Sequence, residues 1–471
     1  MTVRATTLGG FRDTHPTMLA VRKHLIEKIA TVYRRFGFVE LDTACLERLD
    51  VLFGELPPNG QFNKSVYLAQ IKTGLDSVED TSTDEEQGAQ VVGLRYDLTV
   101  SLARYVAANV DQLQLPFKRY QCGKVWRGDK PQLGRMREFS QFDFDIIGVE
   151  GLMADTECIQ VMYEVLKALQ LDDFVILINN RKMLNGLAAS FNIIEDERRK
   201  HFLQRLDSFN PDAKDAIQHL TTILTMEAAS EVDFYALNLS KEQARVVIDF
   251  LVADIHTTDE ALDYMAQLVG DQQEGLVELR ELVANLRVLG IPERNWRIDT
   301  RVVRGLDYYT GTVFETFLTN PAVANIGSVF SGGRFDDLVS RFIPDRTLPG
   351  VGASVGVDRL IVAMQQLGYL SERETSLADV IVARFNDTWL QSAQLATALR
   401  NAGIATQFYV GDDTSLRAQL TYALALQAKF LLIIGDREIA KRVIAIKNLE
   451  TRQQIEIPEA ECVQYLQNAL T

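Results

Sequence analysis

The stretch that most constrains the fold of this chain runs from Arg119 to Asp145, RYQCGKVWRGDKPQLGRMREFSQFDFD. Its first half, Arg119 to Trp126, carries Tyr120, Cys122, Val125 and Trp126 in the mixture expected of a half-buried strand. Its second half sets Phe139, Gln141, Asp143 and Asp145 on one face, since strand residues two apart point the same way. Gly128, Pro131 and Gly134 between the halves are turn residues. The spacing predicts an antiparallel hairpin with a long basic loop. Arg119, Lys124, Arg127, Lys130, Arg135 and Arg137 all crowd into it. Guanidinium groups clamp phosphate oxygens in pairs, so such a loop suits a polyphosphate. A solvated charged hairpin is the plainer alternative. The alternation of arginines with aromatics, and the two carboxylates closing the second strand, favour a ligand.

That basic cluster belongs to an acidic chain. The 471 residues carry a formal net charge of −15, which argues against a non-specific nucleic-acid coat but leaves room for a local basic patch. The length suggests about two to four domains. No apolar run approaches a membrane span, and the start, MTVRATTLGGFRD, has no apolar signal core. Cys45, Cys122, Cys158 and Cys462 lie far apart without CxxC spacing, and the five histidines are scattered. The pattern fits a reducing cytoplasm and predicts no metal site. There is no P-loop, and no GxGxxG in a dinucleotide-binding setting.

Along the chain, Pro16 to Phe36 repeats apolar residues at helical spacing between Pro16 and Gly37, and a strand follows at Phe38–Leu41. LDSVEDTSTDEEQG (75–88) reads as a mobile acidic surface insertion. VVGLRYDLTVSLARYVA reads as a strand, a turn at Arg95–Asp97 and a helix from Thr99. Beyond the hairpin come a helix at Gly151–Leu169 and a strand at Phe174–Asn179, then a mainly helical module to about residue 295. Sheet-like alternation resumes in RIDTRVVRGLDYYTGTVFETFL (297–318). In SVFSGGRFDDLVSRF the pair Gly332–Gly333 is expected to turn the chain before a helix. In PGVGASVGVDRL, Gly350, Gly352 and Gly356 lie on a strand entering a helix at Asp358–Arg359; strand glycines mark close approach by a ligand or by a neighbouring element. From Ala378 a regular α/β pattern predicts a small domain with a mostly parallel sheet.

These residues resemble a known family. VWRGDKPQLGRMREFSQFDFD is similar to motif 2, and GASVGVDRL to motif 3, of class II aminoacyl-tRNA synthetases. RGLDYYTGTVFE and SGGRFDDL resemble the two signatures peculiar to the histidyl-tRNA synthetase family, and LRYDLTVSLARY with FDFDIIG resembles its branch in eukaryotes, archaea and some bacteria. The resemblance covers nearly the whole chain. It implies an α+β fold: a six- or seven-stranded antiparallel sheet flanked by helices, with a helical insertion and a C-terminal α/β anticodon-binding domain. The implied boundaries are 1–184 and 296–376 for the catalytic domain, 185–295 for the insertion and 377–471 for the anticodon-binding domain. It also implies ATP as a substrate with Mg2+, L-histidine, tRNA-His as acceptor, a homodimer, and a ligase that forms histidyl-adenylate and then charges the tRNA 3′ end. The ATP-phosphoribosyltransferase regulatory subunit, which shares the catalytic fold but generally lacks the anticodon-binding domain, is the alternative, followed by a non-catalytic RNA-binding paralogue.

By the same resemblance, Arg127 and Arg304 are the catalytic arginines at the α-phosphate. Arg127 also holds the histidine carboxylate, since two anions cannot meet without a cation between them. Asp97, Leu98 and Thr99 take the α-ammonium; Asp97 or Thr99 could equally cap a helix. Gln141 serves the amino and carboxylate end, Asp145 an imidazole N–H, and Tyr309, beside Tyr308, the other ring nitrogen. One of the two tyrosines is expected to be structural, as strand neighbours face opposite ways. Arg304 could alternatively pair with Asp307 or Asp299. The ATP site is expected to comprise Arg127, Asp129, Arg135, Arg137, Phe139 beneath adenine, and Arg359 at the γ-phosphate near a helix N-terminus. Three departures stand out. Ala44 replaces the usual motif 1 proline, GGRFDDL replaces GGRYDGL at Phe335 and Asp337, and motif 2 opens as WRGD.

Overall fold

The structure is a computed structural model that describes residues 5–54, 66–71, 90–131, 134, 136–207, 209, 215–226, 236–303, 308–370 and 378–470. The acidic stretch 75–88, Arg135, Arg304 and Asp307 lie outside these described residues. The chain divides into two compact units: residues 1–13 with 22–369, and 14–21 with 370–471.

In the first unit the strands are β1 (Val39–Glu40), β2 (Leu46–Arg48), β3 (Leu68–Ile71), β4 (Gln90–Leu94), β5 (Phe117–Trp126), β6 (Glu138–Ile147), β7 (Phe174–Asn180), β8 (Trp296–Ile298), β9 (Thr312–Leu318), β10 (Phe330–Phe335) and β11 (Gly350–Gly356). Eight of them form one sheet in the order β1-β5-β6-β11-β10-β9-β7-β8. The six central strands are antiparallel, as expected. The short edge strands β1 and β8 add to them in parallel, making eight strands rather than six or seven. The predicted hairpin is β5–β6, paired over ten residues from Phe117↔Ile147 to Trp126↔Glu138.

The helices of this chain region are α1 (Pro16–Arg35), α2 (Leu49–Phe53), α3 (Thr99–Asn109), α4 (Met153–Ala168), α5 (Arg181–Ser190), α6 (Asp196–Asp207), α7 (Ala216–Leu224), α8 (Lys241–Val252), α9 (Thr258–Val269), α10 (Glu274–Val288) and α11 (Val357–Gln366). One sheet face is an aromatic floor. Tyr120, Phe142 and Phe144, alternating with the polar residues of the hairpin, pack around Tyr33 of α1 at ring separations of 5.9 Å or less. The opposite face carries Gln141, Asp143 and Asp145 with their partners across the pleat: Gly123, Gln121 and Arg119 on β5, and Gly356, Ser354 and Gly352 on β11. The predicted helical module is α5–α10. It belongs to the same compact unit as the sheet, tied in by Asn180, which caps α5 and donates to Glu278 at 2.7 Å.

One expectation about glycines changes, and one alternative left open is decided. Gly332 and Gly333 do not turn the chain; they lie inside β10, where a Cβ on Gly332 would sit 2.1 Å from the Gly352 carbonyl oxygen. What approaches Gly350 and Gly352 is neighbouring protein. A Cβ on Gly352 would fall 2.2 Å from Asp145 Oδ1, and one on Gly350 would fall 2.2 Å from the Phe335 ring.

The second unit holds β12 (Val380–Val382), α12 (Trp389–Asn401), β13 (Thr406–Phe408), α13 (Leu416–Ala425), β14 (Phe430–Ile433), α14 (Asp436–Lys441), β15 (Val443–Asn448), β16 (Gln454–Pro458) and α15 (Cys462–Leu470). Its sheet, β13-β12-β14-β15-β16, is parallel only across the first three strands. The last two form an antiparallel hairpin, which replaces the expected mostly parallel sheet. VIAIKN and QIEIP alternate as strands should, and too few residues separate them for a parallel crossover.

Candidate active site

The hairpin tip is fixed before any ligand is considered. The Arg127 N–H donates to the Arg137 carbonyl at 2.9 Å, so the two strands stay paired where the basic loop begins. Arg127 Nε donates to the Tyr96 carbonyl at 2.9 Å, and its guanidinium lies 5.2 Å from the Phe139 ring centroid. A cation over an aromatic face at that distance is attracted by the ring quadrupole. Arg127 is thereby held beside the Phe139 ring at the border of two cavities.

The deeper cavity has a volume of about 150 Å³ and is bordered by Asp97, Thr99, Asp143, Asp145, Tyr308, Tyr309, Phe314, Glu315, Phe335 and Gly352, among others. Carboxylates dominate it. Asp145 Oδ2 lies 2.7 Å from Nη2 of Arg119, a wholly buried guanidinium on β5. Burial pushes Asp143 up to about 7 and Asp145 up to about 6, while the Arg119 charge pulls both down. Asp97 performs two tasks. Its Oδ1 accepts the Val100 N–H at 3.1 Å at the start of α3, and its Oδ2 accepts the Tyr308 hydroxyl at 3.0 Å. Burial raises the Tyr308 and Tyr309 hydroxyls well above their ordinary value, so both are neutral donors.

The loop carrying the tyrosines is pinned from both sides. The Asn179 side chain donates to the Val302 carbonyl at 3.0 Å, and the Arg181 side chain to that of Val303 at 2.9 Å. Downstream, the Thr310 N–H donates to the Arg334 carbonyl at 2.8 Å and its hydroxyl to Asp336 at 2.7 Å. Arg334 is buried against Asp155 and donates to the carbonyls of Val149 and Gly151, both at 3.0 Å. The SGGRFDD segment is therefore a clamp that holds Tyr308 and Tyr309 over the carboxylates.

The second cavity, about 110 Å³, is bordered by Arg127, Asp129, Gly134, Phe139, Ser328, Gly356, Asp358 and Arg359, among others. Arg127, Gln141, Ser331 and Ser354 border both cavities, so the two are neighbours across those side chains. Arg359 donates to the Ser328 carbonyl at 2.7 Å. Asp358 receives Arg12 at 2.7 Å, a close contact from Arg22, and the Ser140 N–H at 2.9 Å. It thus pins the start of α11 to the hairpin.

The family model of histidyl-tRNA synthetase matches residues 10–360, and that of the anticodon binding domain matches residues 379–469. A histidine–tRNA ligase of Wolinella succinogenes is 35% identical over 454 residues, covering 95% of this chain and 94% of the relative. One of Clostridium tetani is 33% identical and covers 99% of both chains. The chain belongs to the histidyl-tRNA synthetase family. The crystal structure of histidyl-tRNA synthetase from Nostoc sp. PCC 7120 superposes with a TM-score of 0.76 at 28% identity, covering 99% of this chain and 100% of that one.

Most of the residues that the family resemblance singles out are brought together. Asp97, Thr99, Gln141, Asp145, Tyr308 and Tyr309 border the deeper cavity; Asp129, Phe139 and Arg359 border the other; Arg127 borders both. Leu98 is fully buried and contributes its carbonyl, 3.4 Å from Arg119 Nη2. Arg137 borders neither cavity, and its guanidinium donates to the carbonyls of Gly9 and Asp129, both at 3.2 Å. Sequence reasoning missed Asp143, Glu315, Ser331 and Ser354 as site residues. For Asp143 the signal was present, because it alternates with Gln141 and Asp145. Glu315 sits in a strand whose facing could be read only once its neighbours were known. Arg119, grouped by sequence with the polyanion-binding residues, is instead the buried counter-ion of the carboxylates.

Proposed function

We propose that this synthetase-family protein is a histidine–tRNA ligase. It joins L-histidine to ATP, giving histidyl-adenylate and pyrophosphate, and then transfers the histidyl group to the 3′ end of tRNA-His with release of AMP. The observation that carries the reading is the pair of adjoining cavities, one rich in carboxylates and tyrosines, the other flanked by arginine and phenylalanine, with Arg127 bordering both. In activation, a histidine carboxylate oxygen attacks the α-phosphorus and the bond to pyrophosphate breaks, with the electron pair leaving on pyrophosphate. Both reactants are anions, so Arg127 at the junction would offset their repulsion and the charge that builds up in the transition state. Arg304 is assigned the companion role at the α-phosphate on its signature alone.

Asp97, Thr99 and Gln141 would receive the amino end of histidine, and Asp145 and Tyr309 the two ring nitrogens. A buried pair of polar partners rejects an isostere that leaves them unpaired. Tyr308 would act through Asp97, whose orientation it fixes. Phe139 would stack on adenine, and Arg359 would meet the γ-phosphate with help from the α11 N-terminus. Asp129, Arg135 and Arg137 are the weaker candidates at the phosphates. Among the described residues no group of three His, Cys, Asp or Glu side chains could hold a metal ion by itself. Mg2+ would arrive on the phosphate oxygens of ATP, as this cation commonly does.

The domain bounds stay as assigned from sequence, with residues 377–471 reading the tRNA anticodon. We place the enzyme in the cytoplasm, as a homodimer; four free cysteines accord with a reducing compartment. The decisive test is charging of tRNA-His with radiolabelled histidine. Formation of the adenylate without charging would point to a different acceptor. A regulatory paralogue would do neither, and the anticodon-domain match at residues 379–469 already disfavours that alternative.

A further inference from the structure

We infer that Asp143 is a further substrate-binding residue, a second carboxylate for the α-ammonium group of the amino acid activated here. The inference rests on the histidine-activating reading. It begins from unspent hydrogen-bonding capacity. Asp143 is 3% exposed and borders the deeper cavity. Its Oδ1 has no hydrogen-bond partner among the described residues, and neither has Oε1 of Gln141, two residues away on the same face of β6. Of the other carboxylates named for the substrate, Asp97 is engaged through both oxygens, by Val100 and Tyr308, whereas Asp145 Oδ2 lies against Arg119 but also lacks a hydrogen-bond partner among the described residues. A buried acceptor left without a donor is costly, whereas an ammonium group brings three donors and a positive charge.

The surroundings fix which end of an amino acid would lie there. Gln141 Nε2 donates to Ser354 Oγ at 2.8 Å, which turns its carbonyl oxygen away from β11. Ser354 is also the register partner of Asp143, and its hydroxyl favours the charged carboxylate. One end of Gln141's neighbourhood leads to Arg127, which attracts a carboxylate. The other leads to Asp143, which repels one. An amino acid spanning the two is oriented with its carboxylate toward the ATP cavity and its ammonium toward Asp143. The charged and titratable groups near Asp143 are Arg119 and Cys122 from β5, Asp145 on its own strand, Asp97 before α3, Tyr33 of α1, and Tyr309. Arg119 is ion-paired with Asp145, so this quarter of the cavity favours a cation. Burial holds Asp143 near 7, within reach of full ionisation once a cation arrives.

The test compares L-histidine with 3-(imidazol-4-yl)propionate, the same molecule without its ammonium group, by calorimetric titration of the full chain. In the wild type, histidine binds more tightly than the analogue. Asp143→Asn shrinks that ratio by about tenfold or more, leaving the KM for ATP in pyrophosphate exchange within about twofold. Asp143→Ser provides a second variant should the asparagine disturb folding. A ratio unchanged in both variants overturns the inference, whether the two ligands weaken together, as for a purely structural residue, or not at all. Failure of the wild-type protein to bind histidine would instead overturn the histidine reading itself.

Discussion

Arg119→Met removes the cation beneath the carboxylates while keeping similar volume, and its cost can be worked out with a definite pH dependence. In the wild type, Asp145 titrates at about 6 and Asp143 at about 7, against ordinary values of 3.8. A carboxyl whose folded pKa is raised loses stability as pH rises from its unfolded value to its folded value, and no further above that. Arg119 lowers both values, so without it that loss continues to higher pH. At about pH 5 both groups are protonated with or without Arg119, and the ionisation part of the difference is near zero. With both carboxyls kept protonated across this range in the variant, the difference is about 2 kcal/mol at pH 7 and about 4 kcal/mol at pH 8, at about 1.4 kcal/mol per pH unit per carboxyl. Changed packing adds an offset that does not vary with pH. Urea unfolding of wild type and variant at pH 5, 7 and 8, followed by circular dichroism, reads the difference. The same gap at pH 5 and pH 8 would refute the claim that Arg119 acts as counter-ion to Asp143 and Asp145.

Arg127→Ala should slow histidine-dependent pyrophosphate exchange by roughly a hundredfold or more, and Arg127→Lys should not restore it, because an ammonium lacks the planar fork; equal activity of the lysine variant would count against the bridging role. Gly352→Ala puts a methyl group where Asp145 Oδ1 and the Phe144 carbonyl already lie, at 2.2 and 2.4 Å. It should cost about 1–3 kcal/mol of stability and weaken histidine binding more than ATP binding, as separate KM measurements would reveal. Tyr308→Phe removes the donor to Asp97 and should raise the KM for histidine by several-fold, at about 1 kcal/mol for the lost bond. Histidine binding near pH 7 should release protons from Asp143 and Asp145, whose charged forms a cation favours; calorimetry in buffers of different ionisation enthalpy measures the number released.

The hairpin was legible because its signals are local: alternation on each strand, turn residues between them, and basic residues at the tip. The helix from Thr99 followed the same logic. Other features depend on partners that a sequence cannot locate. Arg119 looks like its neighbours Lys124 and Arg127, yet strand alternation sends it beneath Asp145, and only the β5–β6 register reveals the pairing. Gly332 and Gly333 look like a turn, since nothing local indicates that the Gly352 carbonyl passes within 2.1 Å of where a side chain would begin. The edge strands β1 and β8, with two and three residues, carry too little pattern to be read as members of the sheet. The closing hairpin of the second unit, by contrast, shows locally in the alternation of VIAIKN and QIEIP, but the helices before it carry the pattern of continued α/β alternation.

The central claim, that two adjoining cavities present histidine and ATP to each other across Arg127, is tested most directly by ATP–pyrophosphate exchange with each of the twenty amino acids in turn. The structure leads us to expect exchange with histidine alone, slowed roughly a hundredfold or more by Arg127→Ala. No exchange at saturating histidine, or equal exchange with another amino acid, would contradict it.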